Sequence, residues 1–185
     1  SLTNWPAMYA ALVGSKDDGS EVNSLAKLQA LVNNADTSQN KIRIYSDDAV
    51  SATDPSTTPT VVDYKNIGLV SSIADATGVQ APLVTDANLS AVNAALRTST
   101  VNHAQADTPA HVQVVVDAYN AILNSANGSL PDTITVTAAQ YTNIGANIDG
   151  ITTNTSKSTA AAELSLLDTV IGAKVQSDVN TPDKI

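Results

Sequence analysis

Apolar side chains recur along the chain at spacings of three and four residues, the period of an amphipathic helix. The clearest stripes lie within residues 109–123 and 86–96. Before the longer stripe, Thr108 suits the N-cap and Pro109 the first helical position. We therefore expect helices that each bury one apolar face. The stripe positions are Val112, Val115, Val116, Tyr119, Ile122 and Leu123 in the longer segment, and Leu89, Val92, Asn93 and Leu96 in the shorter.

The sequence contains an internal repeat. TVVDYKNIG at positions 60–68 returns as TAAQYTNIG at positions 137–145, with five identities in nine positions and a numbering offset of 77. Shorter matches recur at offsets between 73 and 84, with the length differences in the polar connections. These matches pair residues 8–12 with 92–96, 26–29 with 110–113, 89–90 with 164–165, and 107–109 with 180–182. The period of the repeat is therefore roughly 75 to 84 residues.

Each unit is predicted to contain three helices. Helix one is short: Thr60 suits its N-cap, Asp63 completes a capping box, and Gly68 suits the left-handed position after its end. Helix two is expected at 86–96 and helix three from Pro109 onward. The counterparts are Thr137, Gln140 and Gly145 for helix one, 4–13 and 162–174 for helix two, and a stripe of Leu25, Leu28, Val32, Ala35 and Ile42 for helix three.

These elements predict an all-α fold of tandem three-helix-bundle repeats. Its predicted segments are a partial repeat with helices two and three (1–45), a linker (46–56), a complete repeat (57–129) and a partial repeat with helices one and two (130–185). An incomplete bundle is expected to expose its apolar stripe, so that a neighbour covers it. The alternative is a set of all-β repeat modules, because the β-branched segments 114–116 and 133–137 favour strands on propensity alone.

Composition narrows the classes of partner and location. The 185 residues carry a net charge of −9, which opposes binding to nucleic acid or to anionic membranes. No apolar run is long enough to span a bilayer, and cysteine is absent. Richness in Thr, Ser, Asn, Asp and Ala, with few Lys and Glu, is typical of secreted bacterial proteins. We expect an extracellular or bacterial cell-surface location.

Candidate chemistry is sparse. His103 and His111 are eight residues apart, the wrong spacing for two metal ligands on one helical face, and no common catalytic template is present. The sequence therefore predicts no enzyme, no catalytic residue and no cofactor. Asp17, Asp18 and Glu21 form an acidic loop and are weak candidates for a calcium site. Their spacing matches no EF-hand, so a solvated loop is favoured over calcium binding.

Candidate partner-binding residues lie at the start of the chain. Trp5 aligns with Leu89 and Leu164, which are predicted core positions of helix two, so packing inside the bundle is favoured. If this face is open, Trp5, Met8 and Leu12 form an apolar strip suited to a partner. The tyrosines at one repeat position, Tyr64 and Tyr141, are expected to anchor helix one in the core.

The elements DYKNIG (63–68), NLSAVNAAL (88–96) and DTPAHVQVVVDA (107–118) together resemble the GA-like helical repeats of very large proteobacterial surface proteins and adhesins. The resemblance covers nearly the whole chain and implies an extracellular array of three-helix modules. It implies no albumin binding, because helix two does not match the albumin-contacting patch of the more distantly similar modules.

The expected function is a non-catalytic spacer or adhesion segment whose partners are neighbouring repeats or copies of itself. One alternative is a self-assembling subunit of an extracellular filament, sheath or surface layer, in which one molecule's N-terminal helix pair completes the next molecule's last bundle. A weaker alternative is a module that binds a host or matrix protein.

Overall fold

The computed structural model describes residues 4–16, 18–47, 57–75, 79–98, 101, 103–146, 148 and 157–185. The protein is mostly helical, which confirms the all-α class and shows that the all-β alternative is wrong. The helices are α1 (Trp5–Val13), α2 (Leu25–Tyr45), α3 (Val61–Asn66), α4 (Leu89–Leu96), α5 (Pro109–Ser125), α6 (Ala138–Asn143) and α7 (Lys157–Gly172). Short 3-10 turns span His103–Gln105, Gln176–Asp178 and Pro182–Lys184.

The β-branched segments that favoured strands take other conformations. Residues 114–116 lie inside α5, where Val115 and Val116 are buried, so burial of the apolar stripe outweighs their β propensity. Residues 133–137 form no strand and lead into α6. The one pair of strands among the described residues, β1 (Val70–Ala74) with β2 (Gln80–Pro82), is antiparallel and lies between the predicted helices one and two, where no element was predicted.

The two short helices have the same start and the same end. The backbone N–H of Thr60 donates to the Asp63 carboxylate over 2.8 Å, and that of Thr137 to the Gln140 side-chain oxygen over 2.8 Å. At the other end Gly68 has φ 80° and Gly145 has φ 76°. The next residue's N–H bonds back to the tyrosine carbonyl over 3.1 Å after α3 and 3.0 Å after α6, which is a Schellman ending.

Two sets of helix contacts stand out. The helices α1, α2 and α3 contact one another, and α5 contacts α4, α6 and α7. A short helix one therefore packs with helices two and three of the preceding unit, across the predicted boundary between 56 and 57. The predicted segment boundaries themselves stay predictions, since most of the linker lies outside the described residues.

Helix two is fixed to helix three by an equivalent hydrogen bond in two places. The Asn4 side-chain amide donates to the Asp36 carboxylate over 2.8 Å, and the Asn88 amide donates to the Asn120 side-chain oxygen over 2.6 Å. The two donors are related by the sequence offset of 84, and so are the two acceptors. Since each asparagine directly precedes its helix two, α1 meets α2 at the same point at which α4 meets α5.

The core is aliphatic, with tyrosines as its largest buried side chains. All six stripe positions of α5 are buried, as the spacing predicts. In α2, Ala35 and Ile42 are buried as expected, but Leu25 is 80% exposed, so its assignment to the core is wrong. Leu25 is the first residue of α2 and precedes the part of the helix that packs against α1 and α3. Within the described residues, none of the helices has the length and apolarity to cross a membrane.

Candidate binding surfaces

A buried polar junction joins each short helix to the helix two that follows it. The first tyrosine junction consists of Pro59, Tyr64 and Asn93. The Tyr64 hydroxyl donates to Asn93 Oδ1, and Asn93 Nδ2 donates to the Pro59 carbonyl oxygen over 2.9 Å. Tyr64 is fully buried, and burial raises the pKa of its hydroxyl well above the usual range. The hydroxyl therefore stays protonated and acts as a donor.

The second tyrosine junction consists of Val136, Tyr141 and Asp168. Val136 and Tyr141 are the counterparts of Pro59 and Tyr64 at the offset of 77, and Asp168 is the counterpart of Asn93 at the offset of 75. Proline has no N–H, so Asn93 donates to its carbonyl; at Val136 the backbone N–H instead donates to the Asp168 carboxylate over 3.0 Å. The Tyr141 hydroxyl is buried and makes no hydrogen bond to any of the described residues.

The carboxylate makes the second junction electrostatically different. Desolvation raises the pKa of Asp168, and the nearby Asp132 carboxylate raises it further, although the Val136 N–H opposes both. Burial likewise raises the pKa of Tyr141, with Asp168 and Asp132 adding to the effect. The first junction uses a neutral amide at this place and avoids the cost of burying charge.

One face of α1 is apolar and open to solvent. Trp5 is 69% exposed, Tyr9 71% and Leu12 39%, and Val13 lies beside them. Met8 is only 2% exposed and packs in the core, so the structure does not present the predicted strip of Trp5, Met8 and Leu12 as one surface. We call Trp5, Tyr9, Leu12 and Val13 the open face of α1. The predicted strip omits Tyr9, although its spacing of four from Trp5 places both side chains on one side of a helix.

Two carboxylates of the acidic loop accept hydrogen bonds from nearby backbone groups. Asp18 accepts from the Ser20 N–H over 2.8 Å, and Glu21 accepts from the Lys16 N–H over 3.1 Å. Hydrogen bonds from the Ser20 side chain and backbone lower the pKa of Asp18. Asp17 lies outside the described residues. Among the residues that are described, no three His, Cys, Asp or Glu side chains come close enough to hold a metal ion.

Two open grooves occupy equivalent places in successive units. One has a volume of ≈ 530 Å³ and lies between α2 and α3; the other, of ≈ 490 Å³, lies between α5 and α6. Their linings correspond in position but differ in chemistry, since Lys27 and Lys65 of the first groove are replaced by His111 and Thr142 in the second. His111 pairs with Asp107 over 2.7 Å. A ligand that fitted one groove would therefore meet different groups in the other.

The chain was compared with protein-family models, with curated proteins and with solved structures, and none of the three comparisons finds a match.

Proposed function

We propose that the chain is a non-catalytic repeat segment of a large secreted or surface-anchored bacterial protein, in which three-helix units follow one another as a spacer or adhesion segment. The observation that carries this proposal is the recurrence of equivalent contacts one period apart. The resemblance to GA-like surface repeats and the Thr-, Ser- and Asn-rich composition support the extracellular setting.

The recurring contacts reach beyond the two matching sequence elements. A Cβ on Gly68 would lie 2.5 Å from the carbonyl of Ala10 in α1, and Gly14, just after α1, lies against the same glycine. A Cβ on Gly145 would collide with Thr98, just after α4. Gly14 and Thr98 are related by the offset of 84, as are the paired Asn4 and Asn88. Helix one therefore rests on the end of the preceding helix two in both units.

A spacer needs units that hold a fixed arrangement relative to one another. Helix α3 supplies such a link, because it packs on α1 and α2 and also bonds to α4 through Tyr64. Its polar side is held by Lys41 of α2, whose ammonium lies 2.9 Å from the Asp63 carboxylate. Units joined in this way draw stability from their neighbours, as solenoid repeats do.

The test is to lengthen the chain by one period. A further copy of residues 53–129, which is one full period at the offset of 77, is inserted after Ser129, so that α5 meets a second copy of α3 in place of α6. We expect a folded protein with proportionately more helix by circular dichroism, unchanged or higher melting temperature, and a longer maximum dimension in small-angle X-ray scattering.

The control insertion is residues 92–129 at the same place, which is about half a period. It adds a second copy of α5 with only the last five residues of α4 and with no further α6 or α7. One copy of α5 is then left without the helices that cover it, so we expect loss of cooperative melting. If the full-period insertion unfolds the protein, or if both insertions behave alike, the array proposal is wrong.

A self-assembling subunit is the second candidate, and the open face of α1 favours it, because exposed apolar side chains at helical spacing are typical of contact surfaces. Light scattering across a concentration series separates the two candidates. A subunit of this kind grows in mass with concentration and melts at a higher temperature when concentrated. A spacer stays monomeric and melts at a fixed temperature.

A further inference from the structure

Helix two is covered on the same side in two of its three occurrences. Leu89, Asn93 and Leu96 of α4 form that side; Asn93 and Leu96 are buried, and Asn93 accepts the hydrogen bond from Tyr64 of α3. In α7 the corresponding side holds Asp168, which bonds to Val136 just before α6. Each contact is made by a short capped helix with a buried tyrosine or by the residue just before its N-cap.

The open face of α1 is the third occurrence of that side. At the offset of 84, Trp5 corresponds to Leu89, Tyr9 to Asn93 and Leu12 to Leu96. The Asn4 to Asp36 hydrogen bond fixes α1 on α2 as its counterpart fixes α4 on α5, so the helix has the same rotation in both places. Met8 and Val92, which correspond, are buried in both helices. The helices α1 and α4 thus differ mainly in what covers the side that faces away from helix three, and much less in how they pack against the core.

We propose that the open face of α1 is a docking site for the short capped helix of one further repeat unit, with the pattern Thr-x-x-x-Tyr-x-Asn-Ile-Gly. This inference rests on the proposed array function and names the partner of one of its surfaces. The incoming tyrosine would pack against Trp5 and Tyr9, where the other junctions offer an amide or a carboxylate. The contact is therefore more apolar than either junction within the chain.

A second copy of this chain is a poor occupant. Its α3 is already bonded to α4 through Tyr64 and Asn93, and the segment leading into α6 is bonded to α7 through Val136 and Asp168. Either helix would have to leave a buried junction in order to reach α1 of another molecule. An additional unit whose short helix precedes α1 in the same polypeptide requires no such exchange.

The experiment exploits Trp5, the single tryptophan of the chain. Residues 57–88 are duplicated directly before Trp5 in place of residues 1–4, so that the added Asn88 takes the position of Asn4. We expect Trp5 emission to shift to shorter wavelength, acrylamide quenching to fall, and the melting temperature to rise relative to the parent chain.

Two matched variants test whether the added helix occupies the proposed site. Tyr64→Asp in the added copy alone removes the anchoring ring and should abolish the Trp5 shift. Tyr9→Asp leaves the melting temperature of the parent chain nearly unchanged, because Tyr9 is exposed there, but should abolish the gain in the extended chain. Unchanged Trp5 emission in the extended chain overturns the proposal, and so does a shift that survives both variants.

Two readouts separate the docking proposal from self-association and from the array proposal itself. A Trp5 shift that appears in the parent chain on raising its concentration identifies self-association and overturns the proposal of an added unit. If the full-period insertion after Ser129 folds while the extended chain leaves Trp5 exposed, the docking site is wrong and the array stands. If that insertion unfolds the protein, the array itself is wrong.

Discussion

Removing one hydroxyl group from each of two equivalent tyrosines should change stability in opposite directions. Tyr64 and Tyr141 occupy the same place in successive units and both are fully buried. The Tyr64 hydroxyl donates to Asn93, whereas the Tyr141 hydroxyl has no hydrogen-bond partner in the part of the chain that the structure describes. Tyr64→Phe therefore deletes a bond, and Tyr141→Phe deletes a buried polar group that has no partner.

The size of each change in stability depends on whether the substitution leaves a buried polar group without a hydrogen-bond partner. Tyr64→Phe leaves Asn93 Oδ1 without its donor inside the protein, and a buried acceptor in that state costs about 1–3 kcal/mol. Tyr141→Phe removes a desolvated hydroxyl that nothing compensates, so we expect no loss and a gain of up to about 1 kcal/mol. For a chain of this size, each kcal/mol shifts the melting temperature by about 2–4 °C.

The assay is urea unfolding of the full chain, monitored by far-ultraviolet circular dichroism. Free energies of unfolding are compared between variants whose denaturant slopes are equal. A double-mutant cycle that combines Tyr64→Phe with Asn93→Ala should show coupling, because the two side chains form one hydrogen-bonded pair. The reasoning is refuted if Tyr64→Phe is as stable as the parent chain. It is equally refuted if Tyr141→Phe loses as much stability as Tyr64→Phe.

Three further predictions concern other parts of the fold. Gly68→Ala should destabilise the protein by more than about 2 kcal/mol in urea unfolding, because it combines a positive φ with a Cβ 2.5 Å from the Ala10 carbonyl. The control is Gly19→Ala, which has φ 69° and no atom within 4 Å of the added Cβ, so it should cost only about 1–2 kcal/mol. Equal losses of stability in the two variants would contradict the steric argument. The raised pKa of Asp168 means that its charged form disfavours folding, so the contribution of Asp168 to stability is greatest below the ordinary aspartate pKa and is lost as pH rises through the folded-state value. Asp168→Asn should remove this pH-dependent contribution and leave the protein more stable at neutral pH by under about 1 kcal/mol, since water screens a half-buried carboxylate. Melting temperatures of the parent chain and the variant are compared between pH 3 and about 7, and the same pH dependence in both would contradict the prediction. Calcium titration should give neither heat nor a change in melting temperature, because backbone N–H groups already donate to the carboxylates of Asp18 and Glu21, and a calcium-dependent rise would contradict this expectation.

The sequence predicts the elements whose partners are local or repeated. Thr60, Asp63 and Gly68 specify where a short helix starts and stops, and each acts within one turn of the chain. The stripe of α5 is equally predictable, because its period alone defines the buried side. Asn93 could be placed on the buried side of α4 by the same spacing, although its hydrogen bond to Tyr64 could not.

Features that depend on distant partners could not be predicted from the sequence. The exposure of Tyr9 and Leu25 depends on which segments cover α1 and the first turn of α2, and sequence spacing carries no such information. The strands β1 and β2 pair across a connection with few apolar residues, so periodicity does not reveal them. The prediction that Met8 lies on the same surface as Trp5 was wrong, because a helical turn places Met8 toward α2 while Trp5 points outward.

The double role of α3 bears on how an array of this kind can change its length. Because α3 packs on α1 and α2 while bonding to α4, a cut on either side of α3 separates it from a helix that it contacts. In an array of the proposed kind, recombination that adds or removes a whole period restores every such contact when the crossover keeps the matched residues of each tyrosine junction together. Recombination that adds a fraction of a period leaves one helix without its support. Variation in the number of units is therefore expected in whole periods, with crossover points outside the segment between a short helix and the helix two that follows it.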